Sequence, residues 1–218
     1  LVQGILAGGD PALLRSSEGL EDLESAAVTD LQQRDFGPED CLVGIAAGGT
    51  TPYVRGGLGY ARDLGALAIA MACVPTDQAP LPCSIDIRLL TGPELLTGST
   101  RLKAGTATKM ALNILSTGVM VKLGKVYGNR MVDVAASNSK LVDRSIRILR
   151  DLLGLDREAA LSLLECAQGS VKRALCMGSC RLGTEEADVL LAAHSSDLRS
   201  ALHSQGRSLP VQDSALPQ

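Results

Sequence analysis

"CLVGIAAGGTTPYVRGGLGYARDLGALAIAMACV", residues 41–74, decides the fold. It opens and closes on apolar runs, 41–47 and 66–74, almost free of polar residues. Such runs are what strands buried on both faces of a parallel sheet require, whereas a half-solvated strand alternates polar and apolar residues. Between them "GGTT" turns the chain, and Pro52 suits the first turn of a helix, where its missing N–H costs nothing. The pattern predicts a helix over 52–65 joining two parallel strands by a right-handed crossover.

Working outward, "SIDIRLL" (84–90) reads as a further strand after the Pro-rich loop "PTDQAPLPC". The loop at 91–100 opens a helix over 101–125, with apolar positions at helical spacing. Toward the N-terminus, "LVQGIL" (1–6) reads as a short strand, and 11–33 as helical with a break at Gly19. Strands alternating with helices make the fold class α/β, a mostly parallel sheet flanked by helices. After Val132 the pattern changes: 137–154 is an amphipathic helix from a Ser/Asn cap, and 155–202 reads as three short helices. Asp156 and Thr184 are the natural N-caps among them. The expected organisation is an α/β domain over 1–154, a small three-helix module over 155–203 and a polar, disordered tail over 204–218.

The chain has 218 residues, a net charge of -3 and 45% hydrophobic residues, with one Phe, three Tyr and no Trp. The core must therefore be aliphatic. The acidic balance, without a basic run interleaved with aromatics, speaks against a nucleic-acid surface. No apolar run reaches the roughly 18 residues that span a bilayer, so neither nucleic acid nor membrane is expected as a partner. Of the six cysteines, Cys176 and Cys180 share a helix face, but a metal would need two more ligands, and His194 is the only other plausible one. Reduced, buried thiols of a cytoplasmic protein are the expected state, with no metal.

In open parallel sheets ligands bind beyond the C-terminal ends of the strands, next to helix N-termini. Two loops fall there. "AAGGTTPY" (46–53) offers close backbone approach at Gly48 and the hydroxyls of Thr50 and Thr51. "TGSTRLK" (97–103) offers Ser99 and Thr100 with the cations Arg101 and Lys103. Both suit an oxyanion such as a sugar phosphate. Neither matches the nucleotide-binding glycine patterns, and turn-making or capping would explain either loop alone. In "SSEGLEDLE" (16–24), Glu18 and Glu21 share a face if the segment is helical. Paired carboxylates could move protons, although spacing alone favours a solvated acidic helix start. His194 and His203 lie far along the chain from these loops and suggest no nucleophile triad.

Several stretches together carry a family resemblance: "GILAGGDPAL", "EGLED", "GIAAGGTTPYVRGGLGYARDLGA", "TGSTRLKAGTATK" and "MVDVAASNSKL". The chain resembles the N-acetylmuramic acid 6-phosphate etherases, whose main domain has the sugar isomerase (SIS) fold, collinearly from residue 4 to about residue 200. The last two stretches separate this family from aldose–ketose SIS isomerases. The resemblance implies a cytoplasmic, homodimeric lyase that needs no cofactor and serves the recycling of cell-wall amino sugars. It would release D-lactate from N-acetylmuramic acid 6-phosphate, leaving N-acetylglucosamine 6-phosphate. It also implies a proton-transfer role for Glu21, a sugar contact for Glu18, and phosphate or sugar contacts for Gly48, Thr50, Thr51, Ser99, Thr100, Arg101 and Lys103. The family's usual "AASGRTPY" is "AAGGTTPY" here, so Gly48 replaces a hydroxyl and Thr50 an arginine. The family's first strand, its "GTSGRL" loop and its "DASE" glutamate are expected upstream of Leu1, which would leave residues 1–218 inactive alone. The alternative is a non-catalytic sugar-phosphate regulator of the glucokinase-regulatory-protein type.

Overall fold

The computed structural model describes residues 2–15, 19–134 and 138–210. They form two compact units, Leu1–Asn113 and Ile114–Gln218.

The first unit is built on three parallel strands in the order β1-β2-β3: β1 (Cys41–Ile45), β2 (Leu67–Ala72) and β3 (Ile85–Arg88). Cys41 pairs with Leu67 and Ile45 with Met71; Ile69 pairs with Ile85 and Ala72 with Arg88. Central β2 is closed on both faces, as its unbroken apolar run requires: Ala68 and Ala70 are 0% exposed and Met71 1%. The helices are α1 (Gly9–Leu14), a 3₁₀ turn (Leu20–Asp22), α2 (Glu24–Gln32), α3 (Pro52–Asp63) and the start of α4 (Lys103–Lys122), which carries the chain into the second unit. Residues 2–6, expected as a strand, pair with no other strand among the described residues. A lone extended segment has no ladder in which to satisfy its backbone groups.

Small residues set how close α3 lies. A Cβ at Gly44 would meet Leu58 Cγ at 2.7 Å, so the fully buried Leu58 sits directly on the backbone of β1. Leu58, Ala61, Ala66, Ala68 and Ala70 form the core there, with Phe36, Leu42 and Val54 packed around it. On its other side α3 meets α2, where a Cβ at Gly56 would stand 2.4 Å from the Glu24 carbonyl oxygen. At the end of β3, Arg88 ties the Pro-rich loop down, donating to Asp86 at 2.6 Å, the Val74 carbonyl at 3.2 Å and the Ala79 carbonyl at 3.0 Å.

The second unit holds the hairpin β4 (Val126–Tyr127) and β5 (Arg130–Met131), then α5 (Ser139–Leu153), α6 (Arg157–Cys166), α7 (Val171–Cys180), α8 (Thr184–Ala193) and α9 (Leu198–Ser204). Its core runs from Tyr127 to Leu209, and α5 packs through Ile146, Leu149 and Leu152 on α6 and α7. Asn138 and Asp156 cap α5 and α6, accepting from the Leu141 and Ala159 amides at 2.9 and 2.8 Å. Thr184 does not cap α8. Gly183 holds that position, and Glu186 accepts its N–H at 2.9 Å. The last of the three helices expected over 155–202 breaks in two because Ser195 and Ser196 take positive φ and Asp197 caps a new helix, accepting from the Ser200 amide at 3.0 Å. Leu209, in the expected tail, is buried: Tyr127 Oη donates to its carbonyl at 3.1 Å and accepts from its amide at 2.9 Å. Among the described residues no helix is long and apolar enough to cross a membrane.

Two glycines of α3 test this packing. Gly56→Ala forces a methyl into the α2 backbone and should lower stability by about 1–3 kcal/mol. Gly59→Ala meets nothing within 4 Å and should raise stability by about 0.5–1 kcal/mol, because glycine is a poor helix residue. Urea unfolding of both variants reads the opposite signs; equal effects would mean α2 and α3 do not pack in this way.

Candidate functional site

The parallel ladder continues past the strands and shapes the first loop. The Ala46 amide donates to the Met71 carbonyl at 3.1 Å, and the Cys73 amide donates to the Ala47 carbonyl at 2.9 Å. The chain then reverses at Gly49, whose φ of 69° places it in the left-handed region and whose amide bonds the Ala46 carbonyl at 3.0 Å. A Cβ there would stand 2.9 Å from Ala79 Cβ. Gly48 and Thr50 are exposed, and Thr51 is the N-cap of α3 with Pro52 in its first turn. Thr51 makes no side-chain cap, which leaves the first amides of α3 uncapped by a side chain. Neither Thr50 nor Thr51 uses its hydroxyl in a bond to another described residue.

The second loop meets its helix in a different way. The two carboxylate oxygens of Glu94 accept the amides of Lys103 and Ala104, each at 2.9 Å. The next two amides of α4, from Gly105 and Thr106, go to the carbonyls of Thr100 at 2.8 Å and Leu102 at 3.1 Å. The four orphan donors of this helix start are therefore all satisfied internally. Hydrogen bonds from the Ala104 and Lys103 amides hold the Glu94 carboxyl below its ordinary range. Lys103 turns its ammonium to the Thr91 carbonyl at 2.8 Å. The side chains of Ser99, Thr100 and Arg101 make no hydrogen bond to other described residues, and Thr100 and Arg101 are exposed.

One residue brings the two loops to the same sheet edge. Cys73 follows β2 and is 8% exposed. Its amide holds Ala47 at 2.9 Å, while its Sγ lies 3.8 Å from the Ala104 carbonyl and 3.8 Å from Thr108 Oγ1. The loop before α3 and the first turn of α4 thus flank the end of the central strand.

Glu21 is exposed on the 3₁₀ turn that packs against α3. Glu18 lies outside the described residues. Tyr53, in the first turn of α3, donates to Asp30 of α2 at 2.6 Å. Burial first, and then this bond to a carboxylate, push the Tyr53 phenol well above its ordinary range, so it stays a neutral donor. Two residues that frame the site, Glu94 and Tyr53, were not singled out by the sequence pattern. Glu94 stands inside "GPELLTGST" with no periodicity to mark it, and Tyr53 is legible only as one of three tyrosines.

The second unit has a cleft of about 340 Å³ lined by Lys125, Asp133, Lys172, Arg173 and Asp188. These charges answer one another. Lys125 bonds Asp133 at 2.5 Å, Arg173 bonds Asp188 at 2.7 Å, and Lys172 donates to the Ser196 carbonyl at 2.8 Å. The cations of this cleft are therefore already paired within the chain. Among the described residues no group of three or more His, Cys, Asp or Glu side chains could hold a metal ion.

Known proteins are similar to this chain over nearly all of its residues. A family model described as the glucokinase regulatory protein N-terminal SIS domain matches residues 1–62. The N-acetylmuramic acid 6-phosphate etherase of Parasynechococcus marenigrum is 73% identical over 209 residues, which is 96% of this chain and 66% of that protein. The protein of that name from Thermosynechococcus vestitus is 65% identical over 81% of this chain and 58% of its own length. That from Nostoc is 60% identical over 94% of this chain and 66% of its own length. The chain thus spans 66% of the length of the first of these relatives, and the open helix start at Thr51 and the hydroxyl-rich loop at 97–103 both fall within its α/β unit. At this identity over nearly all of its residues, the chain belongs to the N-acetylmuramic acid 6-phosphate etherase family.

Proposed function

We propose that a protein of the relatives' full length carrying this chain is a carbon–oxygen lyase. It cleaves the D-lactyl ether of N-acetylmuramic acid 6-phosphate to N-acetylglucosamine 6-phosphate and D-lactate. The observation that carries this reading is the near-complete match of the chain to relatives bearing that name. Within the same reading the active form is a cytoplasmic homodimer, and the binding residues fall within 1–154.

The chemistry sets what the site must supply. In the open-chain sugar a base removes the C2 proton, made acidic by the C1 aldehyde. The C3–O bond then breaks as a C2=C3 double bond forms, and an acid protonates the departing lactate oxygen. Water adds its oxygen to C3 and a proton returns to C2, so the net change is hydrolysis of one ether. One carboxyl group that gives or takes a proton is Glu21, an exposed residue of the turn against α3.

The phosphate is assigned to the α3 side of the edge. An anion gains from uncapped amides and from the positive end of a helix. The α3 start offers these, together with exposed Gly48 and the Thr50 and Thr51 hydroxyls. The α4 start does not, because Glu94 already occupies it with a negative charge. Ser99, Thr100 and Arg101 then serve the sugar and phosphate from the facing loop. Lys103 has its ammonium on Thr91 and contributes by shaping that loop.

The alternative, a regulator of the glucokinase-regulatory-protein type, whose name the family model over residues 1–62 carries, would bind a sugar phosphate without turning it over. Lactate release from N-acetylmuramic acid 6-phosphate separates the two. Turnover is expected, and binding without lactate would favour the regulator. In the active protein Glu21→Gln should lower kcat by about 10²–10⁴-fold, the usual range for a general acid or base. Glu24→Gln should be nearly silent, since that exposed residue meets α3 through its backbone. Equal damage from the two, or normal turnover by Glu21→Gln, would reject Glu21 as the proton-transfer group.

A further inference from the structure

Two ties that cross hold the base of the loop between Glu94 and Lys103. The carboxylate of Glu94 reaches forward to the amides of Lys103 and Ala104, each at 2.9 Å. The ammonium of Lys103 reaches back to the Thr91 carbonyl at 2.8 Å. Between these ties the chain turns on itself: the amides of Ser99, Thr100 and Leu102 bond the carbonyls of Leu96, Gly98 and Ser99 at 3.0, 3.0 and 3.1 Å. The tip has little else to hold it, with Leu95 90% and Leu96 60% exposed and Gly98 at a φ of 80°.

We propose that Glu94 is a positioning residue that clamps the base of the 95–102 loop, with Lys103 as its counterpart, and so presents Ser99, Thr100 and Arg101 to the sugar phosphate. Its chemistry fits that task. An ionised carboxylate has two acceptor oxygens that can take two adjacent amides at once, and charge-assisted bonds of this kind are the strong ones. A glutamine keeps one acceptor oxygen and replaces the other with a donor that would face an amide. An alanine removes both. Because the acceptor lies nine residues before the Lys103 donor, the contact does more than end a helix. It closes the loop into a ring whose circumference carries the three unengaged side chains. A capping role alone would act on α4 stability; a clamp acts on where these three side chains stand, and hence on substrate capture.

The proposal rests on the sugar-phosphate reading for its kinetic arm, and the test therefore has two arms. Glu94→Ala, Glu94→Gln and the wild type are made in the protein of the relatives' full length. In the first arm, hydrogen exchange should quicken at least about tenfold at the Lys103 and Ala104 amides in Glu94→Ala, as expected for local opening. It should quicken less in Glu94→Gln and stay unchanged in β1 and β2. In the second arm, KM for N-acetylmuramic acid 6-phosphate should rise by about tenfold with kcat within about threefold, the split expected for lost binding rather than lost chemistry. Unchanged exchange at those amides would overturn the clamp. Quickened exchange with an unchanged KM would overturn the presentation of the three side chains. A wild type that releases no lactate would refute the lyase reading itself, and the presentation role with it, which is a different failure from an active wild type whose variants keep its KM.

Discussion

The hydrogen bond from the Cys73 amide to the Ala47 carbonyl, 2.9 Å long, is the contact on which the site depends. It extends the β1–β2 ladder past both strands and so fixes where the chain leaves the sheet. From that point Gly49 can turn and Pro52 can start α3. The same residue, through its Sγ, lies against the first turn of α4. A single position just beyond the central strand therefore sets the spacing of two helix starts. The close packing that supports it comes from small residues: Gly44 under Leu58, Gly56 against Glu24, and alanines along β2. Close-packed contacts of this kind transmit position, since none of these backbones can move without displacing another.

The two helix starts differ in the property that matters for an anion. Both begin at the same edge of a parallel sheet, where helix N-termini favour negative charge. At α4 that preference is already satisfied by a carboxylate of the chain itself, held ionised by the amides it accepts. At α3 the capping threonine leaves its amides uncapped and its hydroxyl unused. An external phosphate can improve the second arrangement but can only compete with the first. The asymmetry is a property of Glu94 and Thr51, residues of ordinary type in a loop. It follows from where the backbone carries them.

Much of the fold was legible because it is local. The apolar runs at 41–47 and 66–74 mark β1 and β2. Pro52 and Asp156 mark helix starts through chemistry that acts within a turn. What was not legible involves groups far apart in sequence. Tyr53 meets Asp30 across 23 residues, and Tyr127 holds Leu209 across 82, which turns an apparently solvated end into part of a core. The serines at 195 and 196 break a helix only because both take positive φ ahead of the Asp197 cap, a choice that composition does not announce. In the candidate site, the hydroxyl loops were visible as loops. Which of them is open and which is closed depended on Glu94, whose role needs the chain to return beside it.

The central claim is that the phosphate is taken at the start of α3 and not at the start of α4. The most direct measurement is a crystal structure of the full-length protein carrying this chain, grown with N-acetylglucosamine 6-phosphate. The account predicts phosphate oxygens at hydrogen-bonding distance, about 2.7–3.2 Å, from the Thr50 or Thr51 hydroxyl and the first free amides of α3, with Glu94 still on Lys103 and Ala104. A phosphate seated on the Lys103 and Ala104 amides, with Glu94 swung away, would contradict it.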